Sequence, residues 1–543
     1  MRLTHFFSTA GLLVGTIFFA LSLTPSLIPR EGVVQGSISG LSFAAGYAVG
    51  VFLHWLWRYL ELRTPGEGLR RVLRWVIGTF CVLLALAFLW QAAGWQNSVR
   101  ALMGLEEAPG VRPLTIAVVA ALVFLFLLLI AKLFRRLFYF FSNKLQRRVP
   151  RRIATFLGLA GAFILFWAVF NDVVLSAALH KVDGIYQRLD AKVMPDMAVP
   201  RDPLKAGSRE SLLRWQDMGH QGRRYLALGP SAEDIAEVTG EAKEPIRVYV
   251  GLNAAETPAQ RATLALEELK RVGGFDRPYL ILITPTGTGW VDPGAINAIE
   301  YLLHGDVASV AAQYSYLPSP IALMTEDAYG RETAEAAFQS VYGYWKTLPR
   351  ERRPKLYLFG LSLGALNSDR SFDFYDIIDD PFQGALWAGP PFRSDTWRQV
   401  TAERDAGSPA WLPQFGDGAV VRFGNHFGGY QQGKAPWGDF RIAYLQHGSD
   451  PIVFFDPSAA YRQPAWMQSP RAQDVSPDLQ WYPIVTMLQL GMDMHAGIAP
   501  MGFGHSYAPA DYVHAWYQLV APPGWDEKKL GRLKEKLLKW NPR

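Results

Sequence analysis

Along the first third of the chain, apolar positions run together instead of alternating. Five long apolar stretches stand at about residues 6–29, 38–62, 72–94, 114–134 and 153–179. Each approaches or exceeds the roughly 20 residues that a helix needs to cross a bilayer's hydrocarbon core, so the pattern predicts five transmembrane helices in residues 1–180. Residues 181–244 read as a mixed polar connector, with helices expected near Ser208–Trp215 and Ala232–Val238. From Ile246 the rhythm changes to short apolar runs separated by amphipathic ones. Strands are predicted at 246–250, 279–284, 307–313, 355–360, 384–388 and 440–446, and helices at 257–272, 293–303 and 327–348. Short buried strands alternating with helices imply a mostly parallel sheet covered on both faces. The domain plan is therefore a helical transmembrane domain (1–180), a connector (181–244), an α/β domain (245–525) and a terminal segment (526–543).

Charge adds an orientation. Between the second and third stretches lie Arg58, Arg63, Arg70, Arg71 and Arg74, and between the fourth and fifth lie Lys132, Arg135, Arg136, Lys144, Arg147, Arg148, Arg151 and Arg152. The alternate loops hold only Arg30, Arg100 and Arg112. Basic loops stay on the cytoplasmic side, so the N-terminus is expected inside, and everything after the fifth helix outside a cytoplasmic membrane. The net charge of +6 therefore reads as topology and not as a nucleic-acid footprint, and no nucleic-acid partner is expected. Ser42, Gly46 and Gly50 stand at helix-packing spacing. The stretches are poor in buried charge, with only Asn171 and Asp172 well inside one, near its outer end, which argues against a pump or ion carrier. The single cysteine, Cys81, excludes a disulfide framework and a thiolate metal site.

The candidate chemistry centres on Lys355-Leu-Tyr-Leu-Phe-Gly360-Leu361-Ser362-Leu363-Gly364. An alternating strand runs into Gly-x-Ser-x-Gly and then into a helix-compatible segment, the pattern of a nucleophile elbow with Ser362 at its tip. Downstream, a predicted strand ends in His447-Gly448-Ser449-Asp450-Pro451, and Gly502-Phe503-Gly504-His505-Ser506-Tyr507 follows. These three strings resemble the α/β-hydrolase superfamily. More narrowly, the chain resembles a bacterial family whose hydrolase domain follows a multi-helix membrane domain. That likeness rests on Ser22-Leu-Thr-Pro-Ser-Leu-Ile-Pro-Arg30, Thr284-Pro-Thr-Gly-Thr-Gly-Trp290, Gln313-Tyr-Ser-Tyr-Leu-Pro-Ser319 and the elbow itself. The resemblance implies an α/β-hydrolase fold and a serine nucleophile, but not a substrate; residues 389–438, rich in Gly, Pro and Trp after the predicted strand 384–388, read as a cap insertion.

In that superfamily the acid and then the histidine follow the nucleophile. The order gives Asp450 as acid and His505 as base, with Asp456 as the second candidate acid; His447 reads as ordering the strand end. The oxyanion hole is expected from the backbone N–H of Leu363 and of Thr286 or Gly287, because Pro285 has no N–H. Asp306 and Asp327 read as helix caps. Residues 484–494 are expected to line an acyl pocket, to lie towards the membrane, or to form a plain core helix, and the basic amphipathic stretch at 526–543 to touch anionic lipid or simply to be solvated.

Two glycine-rich strings carry no cofactor. Gly428-Gly-Tyr-Gln-Gln-Gly433-Lys434-Ala435 lacks the Ser or Thr that holds magnesium, and Gly287-Thr-Gly289 lacks a third glycine. No His-Glu-x-x-His occurs, so neither a metal nor a cofactor is expected. The expected function is a membrane-anchored serine hydrolase of the esterase or lipase type, acting outside the membrane on a lipid or envelope ester. An acyltransferase using the same triad, or a scaffold or transport component that only binds, is the alternative.

Overall fold

A computed structural model describes residues 7–107, 113–171, 188, 190, 197–317, 327–496 and 499–539. The chain divides into two compact units: Met1–Lys181, Phe455–Met467 and Gln473–Ala499 form one, and Val182–Phe454, Gln468–Ala472 and Pro500–Arg543 form the other.

The first, helical unit opens with α1 (Thr9–Ser22), α2 (Gly32–Tyr59), α3 (Glu67–Leu102), α4 (Pro113–Leu145) and α5 (Arg151–Ala168). Four helices, at Gly32–Tyr59, Glu67–Leu102, Pro113–Leu145 and Arg151–Asn171, are long and apolar enough to cross a membrane. The first expected span differs. α1 has 14 residues, about 21 Å of helix against a core of about 30 Å, because Pro25 lacks the N–H needed to continue the helix. Asp172 and the end of the fifth expected stretch lie outside the described residues. Trp75, Trp90, Phe126, Phe156 and Trp167 are exposed on these helices, a surface that suits lipid and not water. The expected small-residue stripe is a packing seam: a Cβ on Gly46 would meet the Val14 carbonyl oxygen at 2.6 Å, and one on Gly50 the Ala10 carbonyl oxygen at 2.3 Å.

A helix from far along the chain, Val485–Ala496, belongs to this same unit. It lies against α1 and α2, which resolves the expectation for residues 484–494 towards the membrane helices. Its Asp493 Oδ1 accepts from Arg30 Nε at 2.6 Å, with neither side chain exposed. Around this pair, Gln489 Nε2 donates to the Ser22 and Thr24 carbonyls at 3.2 and 3.1 Å. Arg30 also donates through Nη1 to Gln35 Oε1 at 3.2 Å and through its backbone N–H to Gln96 Oε1 at 2.8 Å. Gln35 starts α2 and Gln96 lies near the end of α3, so the cluster occupies the end of these helices away from Arg58, Arg70, Arg71 and Arg74.

The second unit carries one seven-stranded parallel sheet. Its strands are β1 (Ile246–Val250), β2 (Tyr279–Thr284), β3 (Val307–Ala312), β4 (Lys355–Leu361), β5 (Gly384–Ala388), β6 (Val421–Gly424) and β7 (Arg441–Leu445), in the order β1-β3-β2-β4-β5-β7-β6. β3 and β5 are buried along their whole length, as strands covered on both faces must be. Its helices include α6 (Pro258–Arg271), α7 (Pro293–Leu302), α8 (Asp327–Thr347), α9 (Leu363–Asp369), α10 (Pro509–Val520) and α11 (Glu527–Lys539). The expected capping box is formed: Thr257 Oγ1 accepts from Gln260 N–H, and Gln260 Oε1 from Thr257 N–H.

Three expectations change here. Residues 389–438 are not wholly a cap, since β6 lies within them and pairs with β7; four residues at a sheet edge leave little alternation to read. Ser208–Trp215 is turn, whereas Gly219–Ala227 is helical and Ala232–Thr239 is helical as expected. The connector is part of the α/β unit, where Tyr225 lies in the core and bonds Ser309. The apolar side of the basic α11 is covered as well, with Leu533 and Leu537 buried in that core.

Burying a charge pair makes each partner depend on the other. Arg30→Met or Asp493→Leu alone should destabilise the solubilised protein by about 3–5 kcal/mol, because each strands its partner, and the double variant should recover most of that loss. Thermal melting in detergent checks this; losses that simply add would contradict it.

Candidate active site

The carboxyl ends of β2, β4, β5 and β7 stand at matching levels, with Thr284 opposite Gly360, Leu361 opposite Ala388 and Ala388 opposite Leu445. In an open α/β sheet this edge is where ligands bind. All the candidate residues follow it: Thr286 and Gly287 after β2, Ser362 after β4, Asp450 after β7.

Ser362 has φ 57° and ψ −123°, a conformation that L residues rarely adopt. The turn holds because nothing beyond hydrogen protrudes at its flanks. A Cβ on Gly360 would meet the Gly364 carbonyl oxygen at 2.4 Å, and one on Gly364 the Thr284 carbonyl oxygen at 2.2 Å. Ser362 N–H donates to the Ala388 carbonyl at 2.9 Å, which fixes the elbow to the end of β5. Leu363 begins α9, where a backbone N–H has no acceptor within the helix.

Asp450 is completely buried. Its Oδ2 accepts from His505 Nδ1 at 2.7 Å and from Tyr507 Oη at 2.7 Å, while Oδ1 accepts from Ile452 N–H at 2.9 Å. Burial pushes its carboxyl up, but the imidazole of His505 and the three donors together hold it below the usual range. Because Nδ1 carries the proton given to Asp450, Nε2 of His505 presents a lone pair, and that atom is buried with no hydrogen-bond partner among the described residues. The ring lies against the chain just past β5, where a Cβ on Gly389 (φ 51°) would come within 2.6 Å of its Cε1. Gly389 adjoins the Ala388 that holds the Ser362 backbone. Asp450 and His505 are thus paired at the same sheet edge to which the Ser362 backbone is held.

Two expected residues are engaged elsewhere. Thr286 N–H donates to the Trp290 carbonyl at 3.0 Å, closing the turn after β2. Asp456 accepts from Ser458 N–H at 2.8 Å and from Ser458 Oγ at 2.7 Å, capping a short turn instead of meeting a histidine. The phosphate-loop-like string follows a strand, β6, but contains only a three-residue 3-10 turn, Tyr430–Gln432. Among the described residues no group of acidic, histidine or cysteine side chains is arranged to hold a metal.

The sequence missed Tyr507, the second donor to Asp450, and Asp292 with Tyr512. Asp292 caps α7 through Gly294 N–H at 2.8 Å and accepts from Tyr512 Oη at 2.9 Å. The Asp292-Pro293 pair is a helix-start signal that could have placed the cap; its tyrosine partner, 220 residues away, has no local trace.

The family model described as alpha/beta-hydrolase family matches residues 246–533, and the one described as alpha/beta-hydrolase family N-terminus matches residues 23–230. No curated protein and no solved structure matches the chain.

Burial raises Asp292 to about 6, against the opposing bonds from Tyr512, Gly294 and Ala295 and the nearby His505. A carboxyl raised on folding gives stability that is present below its unfolded value, near 4, and lost as pH rises through about 6. Asp292→Asn removes that loss. The Tm of the variant minus that of wild type should therefore rise between about pH 4 and pH 7; a constant difference would refute the assignment.

Proposed function

As the chain belongs to the alpha/beta-hydrolase family, we propose that it is a membrane-anchored serine hydrolase cleaving a carboxylic ester of a lipid or envelope component through Ser362, His505 and Asp450. The observation that carries this reading is the buried, unpartnered Nε2 of a histidine whose other nitrogen is fixed by a buried carboxylate. Such a nitrogen is oriented to act as a base at the elbow.

His505 Nε2 takes the Ser362 hydroxyl proton as Oγ attacks the ester carbonyl. The oxygen of the tetrahedral intermediate gains negative charge and is met by the N–H of Leu363 and by a second donor from the loop after β2. Asp450 stays ionised and stabilises the imidazolium. Collapse of the intermediate breaks the C–O bond, and His505 returns the proton to the departing alcohol. Water then repeats the sequence on the acyl-enzyme and releases the acid. An alcohol in place of water would complete acyl transfer, and the partition of a labelled acyl group between the two distinguishes the outcomes.

The orientation follows from α5 and does not depend on whether the short α1 crosses. α5 starts at the basic Arg151 and Arg152, so the chain after it emerges on the side opposite the basic loops. The helix Val485–Ala496, which comes from that later chain, meets α1 and α2 at the end remote from those same loops, in support. We therefore place the α/β unit outside a cytoplasmic membrane, where a lipid or envelope ester is within reach.

A fluorophosphonate probe should label detergent-solubilised wild type and fail to label Ser362→Ala, as should His505→Ala to within about a thousandth of the wild-type rate. A folded wild type that does not react would remove the catalytic reading. A reporter active only outside the cytoplasm, fused after residue 539, should be active; activity of a cytoplasmic reporter at the same place would reverse the orientation.

A further inference from the structure

His447 follows β7 and is 1% exposed. Its Nδ1 lies 2.9 Å from the Gly504 carbonyl oxygen, and its Nε2 lies 3.3 Å from Asp511 Oδ2. A carbonyl oxygen only accepts, so Nδ1 carries a proton. Asp511 also receives the Ala508 N–H at 3.2 Å on Oδ2 and faces His426 Nδ1 at 2.9 Å on Oδ1. With donors on both oxygens it is a carboxylate, and Nε2 of His447 therefore needs a proton as well. A neutral ring would set a lone pair against one of two acceptors at a buried position.

The ring is also joined to the proposed triad. Its face stacks on Tyr507 at 4.3 Å and 25°, and Tyr507 Oη donates to Asp450. The Gly504 carbonyl that it holds belongs to the peptide group leading into His505. The other side of Gly504 is held too, since its N–H donates to Ser449 Oγ at 2.9 Å. Within one tetrapeptide, His447 and Ser449 grip the residue before the base, and Asp450 grips the base.

We infer that His447 is a buried imidazolium and a positioning residue for His505, fixing the base through the Gly504 carbonyl and through Tyr507. This rests on the proposed roles of Ser362, Asp450 and His505. The charged and titratable groups around the ring are Asp511 on one nitrogen, His426 across that carboxylate, Tyr507 on the face, Tyr430 and Tyr512 near Asp511, and Asp450 beyond the Tyr507 hydroxyl. The ring is thus bracketed by two carboxylates, Asp511 directly and Asp450 through Tyr507, and the structure uses it as the cation between them.

The test uses the full chain in detergent and saturation kinetics with the fluorophosphonate probe. His447→Phe keeps an aromatic face for Tyr507 but has no donors. It should lower the maximal labelling rate roughly tenfold to a hundredfold, with the half-saturating probe concentration unchanged and the protein still folded by its melting curve. His447→Asn, which restores a donor near the Nδ1 position, should recover most of that loss. A wild-type rate in folded His447→Phe, or equal losses in both variants, overturns the inference while leaving Ser362 labelling intact. If wild type itself does not label, the hydrolase reading fails, and the ring is then read directly in protein labelled with ring-15N histidine. At neutral pH the histidine signal that disappears in His447→Asn should show both ring nitrogens protonated; a single protonated nitrogen overturns the imidazolium.

Discussion

Asp450 has no contact with water, and a carboxylate in that position must be surrounded by donors or give up its charge. The chain around it supplies three, from His505, Tyr507 and Ile452, and much of the local architecture follows from bringing them there. The end of β7 places the carboxylate at the sheet edge. The tight turn in which Gly502 N–H meets the Ser506 carbonyl at 2.7 Å presents His505 and Tyr507 together. Remove the charge and there would be no reason for that loop to face the elbow.

The elbow shows the same dependence in another form. The positive φ of Ser362 costs of order 1–3 kcal/mol and persists because β4, β5 and α9 over-determine it. Gly360 and Gly364 let neighbouring backbone approach where any side chain would collide. Gly389 does the same for the imidazole. These glycines serve by the volume they leave empty.

Much of this was legible in the sequence because it is local. The strand runs 246–250, 279–284 and 384–388 were read to the residue, since continuous apolar runs bounded by Gly, Pro or polar residues leave little choice of register. Gly-x-Ser-x-Gly after a strand likewise announces its own turn. What escaped is non-local or ambiguous by composition. β6 is too short to show a period. Asp456 and Asp450 both precede a proline, and only the fold decides which meets a histidine and which caps a turn. That the Thr286 N–H is taken by the Trp290 carbonyl is a matter of loop shape. His447 was read as ordering the strand end; its two acceptors, Gly504 and Asp511, stand 57 and 64 residues on, beyond the reach of any pattern. The helical unit repeats the lesson: apolar length announced its helices but overstated α1, because the apolar run continues past Pro25 after the helix has ended at Ser22.

The ion pair of Arg30 with Asp493 bears on how the molecule is made. The partners are 463 residues apart, and synthesis runs from the N-terminus, so the arginine leaves the ribosome with its counter-ion still to be translated. All seven strands of the α/β unit appear in the interval. The helical unit is therefore finished late, by a piece of chain threaded back from beyond β7, although most of its residues come first. The two units are interleaved in the gene as well as joined. A recombination or a cut between residues 181 and 245 would hand one product an unmatched arginine and the other an unmatched aspartate, so the pair ties the inheritance of the membrane helices to that of the sheet.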